Sequence, residues 1–206
     1  YYYHNMKKLN LHRLESYFIN NHQPIFSTRD LMASFDVEKR AAEGFLFNNV
    51  KKGMIIRLKA GLFVLPNHMP SQFEVANRLV IPSYISLDTA LSYYNLIPEI
   101  VYTITSVTTK ATKEFGVNSI SYSYQKIKRV VFTGYSLKNI YGQNVYIADP
   151  EKAVCDFIYF VFLGKRQYND RLKWKNVNFK KVKEYLKLLG NNNIIKFANK
   201  LYKQHA

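Results

Sequence analysis

Ser27 to Leu65 reads STRDLMASFDVEKRAAEGFLFNNVKKGMIIRLKAGLFVL, and the order of patterns inside it decides how the chain is read. Ser27 is a good N-cap, and Asp30, three residues later, sets a carboxylate where the helix dipole favours one. Leu31 and Met32 supply an inner face before the chain breaks near Ser34–Asp36. A second helix is expected from about Val37 to Lys52. Its inner face is drawn from Val37, Ala41, Phe45, Leu46 and Val50, close to i, i+4, i+8 spacing. Its outer face carries Glu38, Lys39, Arg40, Glu43, Asn48 and Lys51, and Gly53 fits the C′ position. Two β-prone runs follow, Met54–Leu58 and Leu62–Leu65, joined by Lys59-Ala60-Gly61, a loop ending on the glycine that a left-handed position needs.

Helix, sharp turn, helix with a polar outer face and then a basic hairpin is the order of a winged helix-turn-helix. The physics suits DNA: a helix about 10–12 Å across fits the major groove, and phosphate neutralisation by Lys and Arg supplies most of the affinity. The plainer reading is a small α+β domain with two amphipathic helices and a hairpin. Arg29, Lys39, Arg40, Asn48 and Lys51 are the candidates for DNA contact from the helices. Arg and Asn can read guanine and adenine edges, while Lys more often meets phosphate. Arg57 and Lys59 on the hairpin are placed for phosphate or minor groove, and Thr28 for a phosphate at the helix start or for capping. The competing reading of each is a solvated charged face.

Outward from this stretch, Leu9–Ile19 predicts a supporting helix with Leu11, Leu14 and Phe18 on one face, ended by Asn20–Pro24. Pro66–Pro70, two prolines bracketing polar residues, is the domain boundary. The first domain is therefore 7–66, with Tyr1–Asn5 left without structure, and the second is 71–206. At 206 residues, 48% hydrophobic, the chain has material for both cores. A net charge of +16 favours a polyanionic partner without separating DNA from RNA or an acidic membrane. Residues 1–70 carry a net +5, residues 71–160 a net +1 and residues 161–206 a net +10. The single Cys155 forms no internal disulfide, and no Cys/His set has zinc spacing. Met6-Lys7-Lys8 runs into an amphipathic helix with no apolar signal region, and Ala153–Leu163 is too short to span a bilayer. The expectation is a cytoplasmic protein with no membrane role, no metal and no cofactor.

In the second domain Phe73–Leu79 predicts a connecting helix with Phe73, Ala76 and Val80 inward. Ser86 is a natural N-cap for a helix over Leu87–Tyr94, with Asp88 in the first turn and Asn95 closing it. Val101–Val107, Ile120–Tyr124, Lys128–Thr133 and Asn144–Ile147 are strand candidates, with turns at Gly134 and Tyr141-Gly142. Asp149-Pro150-Glu151 is a clean helix start, and Pro150–Leu163 is apolar almost all round, a core helix. Two Lys-rich helical patterns follow, about Phe179–Leu189 and Ile194–Tyr202. Tyr84, Tyr93, Tyr94 and Tyr102 read as core and interface aromatics.

The run YISLDTALSYYNLIPE…VYTITSVTTK, then GYSL and ADPEKAVCDFIY, resembles the AbiE-type antitoxin family of transcriptional regulators in bacterial type IV toxin–antitoxin systems. The likeness spans about Ser27 to Tyr159. It implies a winged helix that represses the protein's own operon, joined to an α+β domain that counters a nucleotidyltransferase-like toxin without an obligatory tight complex. The overall expectation is an α+β chain: an N-terminal winged helix-turn-helix, then a C-terminal α+β domain with a small mixed sheet and flanking helices. The tail over 161–206 lies outside the resemblance. There Lys173, Lys175, Lys180 and Lys181 stand among Leu172, Trp174, Val177, Phe179, Val182, Leu186 and Leu189, which predicts a docked element with a basic outer surface for DNA backbone or for solubility. Asp149, Glu151 and Asp156 beside Lys152 are the only group to suggest a nuclease. A helix start explains two of these carboxylates, so no catalytic residue is assigned. A nuclease-like enzyme and an RNA-binding module remain the alternatives.

Overall fold

The structure, a computed structural model, describes residues 9–140 and 142–205. Tyr1–Asn5, the Met6-Lys7-Lys8 start of the first domain and the Tyr141 half of the Tyr141-Gly142 turn lie outside the described residues. The chain is α+β, and it divides between Ser71 and Gln72 into two compact units. Among the described residues no helix is long and apolar enough to cross a membrane.

In the first unit, Asn10 caps α1 (Leu11–Asn20), its side chain accepting from the Arg13 N–H at 2.9 Å. Strand β1 (Ile25–Ser27) runs straight into α2 (Thr28–Phe35). Their junction is a reciprocal box: Ser27 Oγ accepts from the Asp30 N–H at 3.1 Å, and the Ser27 N–H donates to Asp30 Oδ2 at 2.7 Å. Asp36, left-handed at φ 50°, ends α2. After it come α3 (Lys39–Lys51), β2 (Ile56–Lys59) and β3 (Leu62–Val64). Gly61 takes φ +72° in the hairpin, and the strand register shifts between Arg57 and Lys59. The three strands form an antiparallel sheet in the order β1-β3-β2.

Leu14, Phe18, Phe26, Leu31, Phe35, Ala42, Leu46, Ile55 and Phe63 make one core, with Phe18 stacked on Phe26 at 4.5 Å. Two expectations fail here. Ala41 is exposed and Ala42 is buried in its place, while Leu46 is buried and Val37, Phe45 and Val50 pack against the core, so the inner face departs from the expected one at Ala41 alone. Strand β1 was not expected at all. It is three residues long and owes its conformation to pairing with β3, Ile25 opposite Val64 and Ser27 opposite Leu62.

The second unit is built on a six-stranded mixed sheet in the order β6-β7-β5-β4-β9-β8. Its strands are β4 (Ser83–Ile85), β5 (Thr103–Thr108), β6 (Lys113–Val117), β7 (Ile120–Lys126), β8 (Tyr135–Ile140) and β9 (Gln143–Ala148). Pairs β5/β7 and β4/β9 are parallel and the others antiparallel. Its helices are α4 (Gln72–Leu79), α5 (Leu87–Tyr93), α6 (Pro150–Phe162), α7 (Phe179–Lys187) and α8 (Asn192–His205). Tyr124 on β7 donates to the Ala76 carbonyl of α4 at 2.6 Å, and Tyr84 on β4 donates to Asp156 of α6. Register places those tyrosines on opposite faces, since Tyr124 lies level with Ser106 and Tyr84 with Val107. Helix α4 thus covers one face and α5 and α6 the other, with α7 and α8 packed on α6.

Lys128–Thr133, expected as a strand, holds instead a 3-10 turn over Arg129–Val131. The Ile127 N–H closes on the Thr108 carbonyl, and the Val131 N–H then bonds locally to Lys128, so these β-branched residues have no strand to pair with. Strands β6 and β8 lie at the sheet's two edges and were not expected. Edge strands tolerate the charge, Gly and Asn that KEFGV and YSLKNI carry. Tyr102 stands outside β5 and is 85% exposed, so it is not a core aromatic; Tyr84 is fully buried.

Candidate nucleic-acid surfaces and a buried hub

Helix α3 is held by Ala42 and Leu46 below, which turns Lys39, Arg40, Asn48 and Lys51 to solvent. Lys39 is engaged by Glu43, at 3.8 Å one helical turn on. Among the described residues Arg40 and Lys51 have no ion-pair partner. Arg29 is exposed in the first turn of α2. The Thr28 N–H reaches the Gly61 carbonyl at 3.4 Å, tying the start of α2 to the hairpin. Thr28 and Arg57 line one open depression of about 410 Å³ together with Phe47 of α3 and Gly61. Arg57 Nε also donates to the Lys59 carbonyl at 3.4 Å, bracing the bulged strand. The first unit therefore brings Thr28 and Arg57 beside α3; Arg29 and Lys59 do not line that depression.

The tail docks as expected on its apolar residues: Leu172, Trp174, Val182 and Leu186 are buried. A 3-10 turn over Trp174–Asn176 precedes α7, which starts at Phe179 as the sequence pattern predicts and ends at Lys187, two residues short of Leu189. Lys173, Lys175 and Lys180 are exposed, and the Lys173 backbone N–H is anchored on the Leu96 carbonyl at 2.8 Å. Lys181 turns inward, 3.1 Å from Glu151 and 3.8 Å from Asp149 at the head of α6. The hydrogen bond to Glu151 raises the lysine's pKa. Partial burial works against the Glu151 charge, yet the bonds it accepts from Lys181 and the Asn178 N–H hold its pKa below the usual value. Lys181 is thus a fastening of the tail.

These fastenings rearrange the charge read along the sequence. Arg166 pairs with Asp88, Arg171 with Glu99 at 3.5 Å, and Lys181 with Asp149 and Glu151. Three tail cations so neutralise carboxylates of the near-neutral middle segment, and the cations of that segment are left over. Lys110, Lys113, Lys126, Lys128 and Arg129 gather where β5 ends, β6 begins and β7 ends, all exposed. Among the described residues none of the five has an ion pair. A running charge count averages them away, because the compensating acids are adjacent only in sequence. The Asn118-Ser119 turn, at φ 47° and 64°, was the available sign of the β6–β7 hairpin that collects them.

Beneath the surface, the three motifs behind the resemblance meet. Asp156 Oδ2 accepts from Tyr84 Oη at 2.9 Å and from Ser86 Oγ at 2.8 Å, and Asp156 Oδ1 accepts from Lys152 Nζ at 2.5 Å. All four residues are sealed from solvent. Burial opposes the Lys152 charge, but the adjacent Asp156 carboxylate overrides it and the pKa is raised; burial raises Tyr84 and pushes Cys155 to about 12. Tyr135, from the GYSL run, stacks on Tyr84 at 4.5 Å. Gly134 beside it has φ +73°, and a side chain there would meet the Tyr185 ring of α7 at 2.7 Å.

Two caps differ from expectation as a result. Ser86 stands at the N-cap of α5, yet its hydroxyl serves Asp156, and Thr105 of β5 accepts from the Thr89 N–H at 3.1 Å in its place. Asp149 stands at the N-cap of α6 without a side-chain cap bond. Asp156 is held by three donors, and among the described residues no three His, Cys, Asp or Glu side chains converge as a metal site would need. No protein-family model matches the chain, and no curated protein does.

Proposed function

We propose that the protein is a DNA-binding transcriptional autorepressor and the antitoxin of a type IV toxin–antitoxin system, without catalysis of its own. On this reading the first unit is a winged helix-turn-helix: α2 and α3 form the helix-turn-helix, α3 enters the major groove, and the β2–β3 hairpin is the wing. The observation that carries it is the outward side of α3, where Arg40 and Lys51 are exposed and, among the described residues, without an ion pair, and whose Phe47 lines a depression shared with Arg57 of the hairpin. Side chains that reach base edges and cations that meet phosphate are what such a docking requires. The operator role and the nucleotidyltransferase-like toxin as functional partner rest on the motif resemblance. The buried hub gives those motifs a shared structural reason, joining the β4–α5 junction to α6.

The test is fluorescence anisotropy of the full chain with its own upstream DNA, scrambled duplex of equal length, and RNA. Preference for the upstream duplex supports the reading. Equal binding to all three, or preference for RNA, removes it. Co-expression with the adjacent toxin gene tests the antitoxin role separately.

A further inference from the structure

We propose that Phe47 of α3 is a specificity-determining contact that reads a thymine by its C5-methyl group; this rests on the DNA-binding reading of the first unit. Among the described residues, which include all 14 phenylalanines, Phe47 is the only one in open solvent, 70% exposed. The core does not demand it there. Ala42 and Leu46 hold the helix down, and Phe45 and Val50 pack against the same core from its flanks. Phe47 lies on a stripe spaced four, three and four residues apart: Arg40, Gly44, Phe47 and Lys51.

Gly44 sharpens the argument. It is a mid-helix glycine, which costs about 1 kcal/mol relative to Ala. A side chain built there would touch nothing within 4 Å, so packing does not require the glycine. A helix carrying both a bare spot and an exposed phenyl ring, one turn apart between two unpaired cations, is shaped to lie against a surface that is anionic at its edges and apolar at its centre. The major groove has that character, with phosphates on both rims and thymine methyls on its floor, and Phe is among the side chains that meet those methyls. The bare backbone at Gly44 lets α3 sit deep enough for the ring to reach them. A second copy of the chain on this face would bring Arg40 and Lys51 against like charges, so charge complementarity favours DNA over self-association.

The experiment first selects a preferred duplex from a random double-stranded pool with the full chain. Each thymine of that duplex is then replaced singly by deoxyuridine, which removes only the methyl group, and binding is measured for wild type, Phe47→Ala and Phe47→Leu. Wild type should lose about fourfold at one or two adjacent positions, the worth of one buried methyl group. Phe47→Ala should bind the parent duplex more weakly and respond to none of those replacements, while Phe47→Leu keeps part of the response. Circular dichroism confirms the fold, which an exposed position leaves intact. Equal responses of wild type and Phe47→Ala at every thymine overturn the methyl contact while leaving DNA binding standing. Failure of the wild type to enrich any duplex overturns the DNA reading and this contact with it. A change of mass in sedimentation on Phe47→Ala overturns the contact in favour of a face between copies.

Discussion

Asp156 accepts hydrogen bonds from Tyr84, Ser86 and Lys152 while shut away from water, and a residue in that position has an asymmetric energetic role. Its pairing with Lys152 roughly offsets the desolvation of both charges, but removing one partner leaves the other buried alone. Asp156→Asn should therefore destabilise the protein by about 3–5 kcal/mol in urea unfolding, whereas Lys152→Met combined with Asp156→Asn, which removes the orphaned ammonium and keeps an acceptor for the Tyr84 and Ser86 hydroxyls, should cost less. Equal losses in the two variants would mean that packing, not the orphaned charge, sets the cost. Arg40 is the opposite kind of residue, exposed on α3 and, among the described residues, without an ion pair. Arg40→Ala should leave the melting temperature almost unchanged and weaken the preferred duplex by about 1–3 kcal/mol. An equal loss on random DNA would make it a phosphate contact instead.

The tail is held to α6 by an ion pair whose two ends titrate in opposite directions. Glu151 has its pKa lowered from 4.5, so its contribution is complete above that value and is lost as pH falls through the folded-state value. Lys181 has its pKa raised from 10.5, so its contribution is complete below that value and is lost as pH rises through the folded-state one. Glu151→Gln should lower stability at neutral pH by about 0.5–1 kcal/mol, a figure reduced for the partial exposure of Lys181. Thermal melts should show the difference from wild type closing as the solution is acidified below the carboxylate range; a gap that stays constant would show a loss unrelated to charge. The cations left over at the strand ends invite a different measurement. Changing Lys110, Lys126, Lys128 and Arg129 to Gln should make the slope of log K against log salt shallower by about 2–3, at about 0.9 for each phosphate released, with sequence preference kept. Changing Lys173, Lys175 and Lys180, with Lys181 left to fasten α6, gives the comparison. If only the tail variant moves the slope, the strand-end patch faces something other than DNA.

The two units carry their own cores, so their roles should be separable. A fragment ending at Ser71 keeps the aromatic core around Phe18 and Phe26 and the whole α2–α3–hairpin arrangement. On the proposed antitoxin reading it should bind the preferred duplex more weakly than the full chain and fail to protect cells expressing the proposed nucleotidyltransferase-like toxin. Protection by that fragment would move antitoxicity out of the second unit.

Local chemistry was legible from the sequence wherever the relevant partners lie within a few residues. The Ser27–Asp30 box, the left-handed Gly61, the polar outer side of α3 and the amphipathic docking of the tail all follow from short-range spacing. Nearly all-round apolarity likewise marked α6 as a core helix, although Lys152 and Asp156 inside it belonged to the group that suggested a nuclease. What tertiary structure decided is everything that depends on a distant partner. Strand β1 exists because β3 lies beside it, and Lys128–Thr133 is no strand because, among the described residues, no strand pairs with it. Ser86 gives up its cap because Asp156, 70 residues later, arrives to accept its hydroxyl. The basic patch at the strand ends appears only when the tail folds back and spends its own cations on the acids of the middle segment, because charge compensation follows distance in space and a sequence count follows distance along the chain.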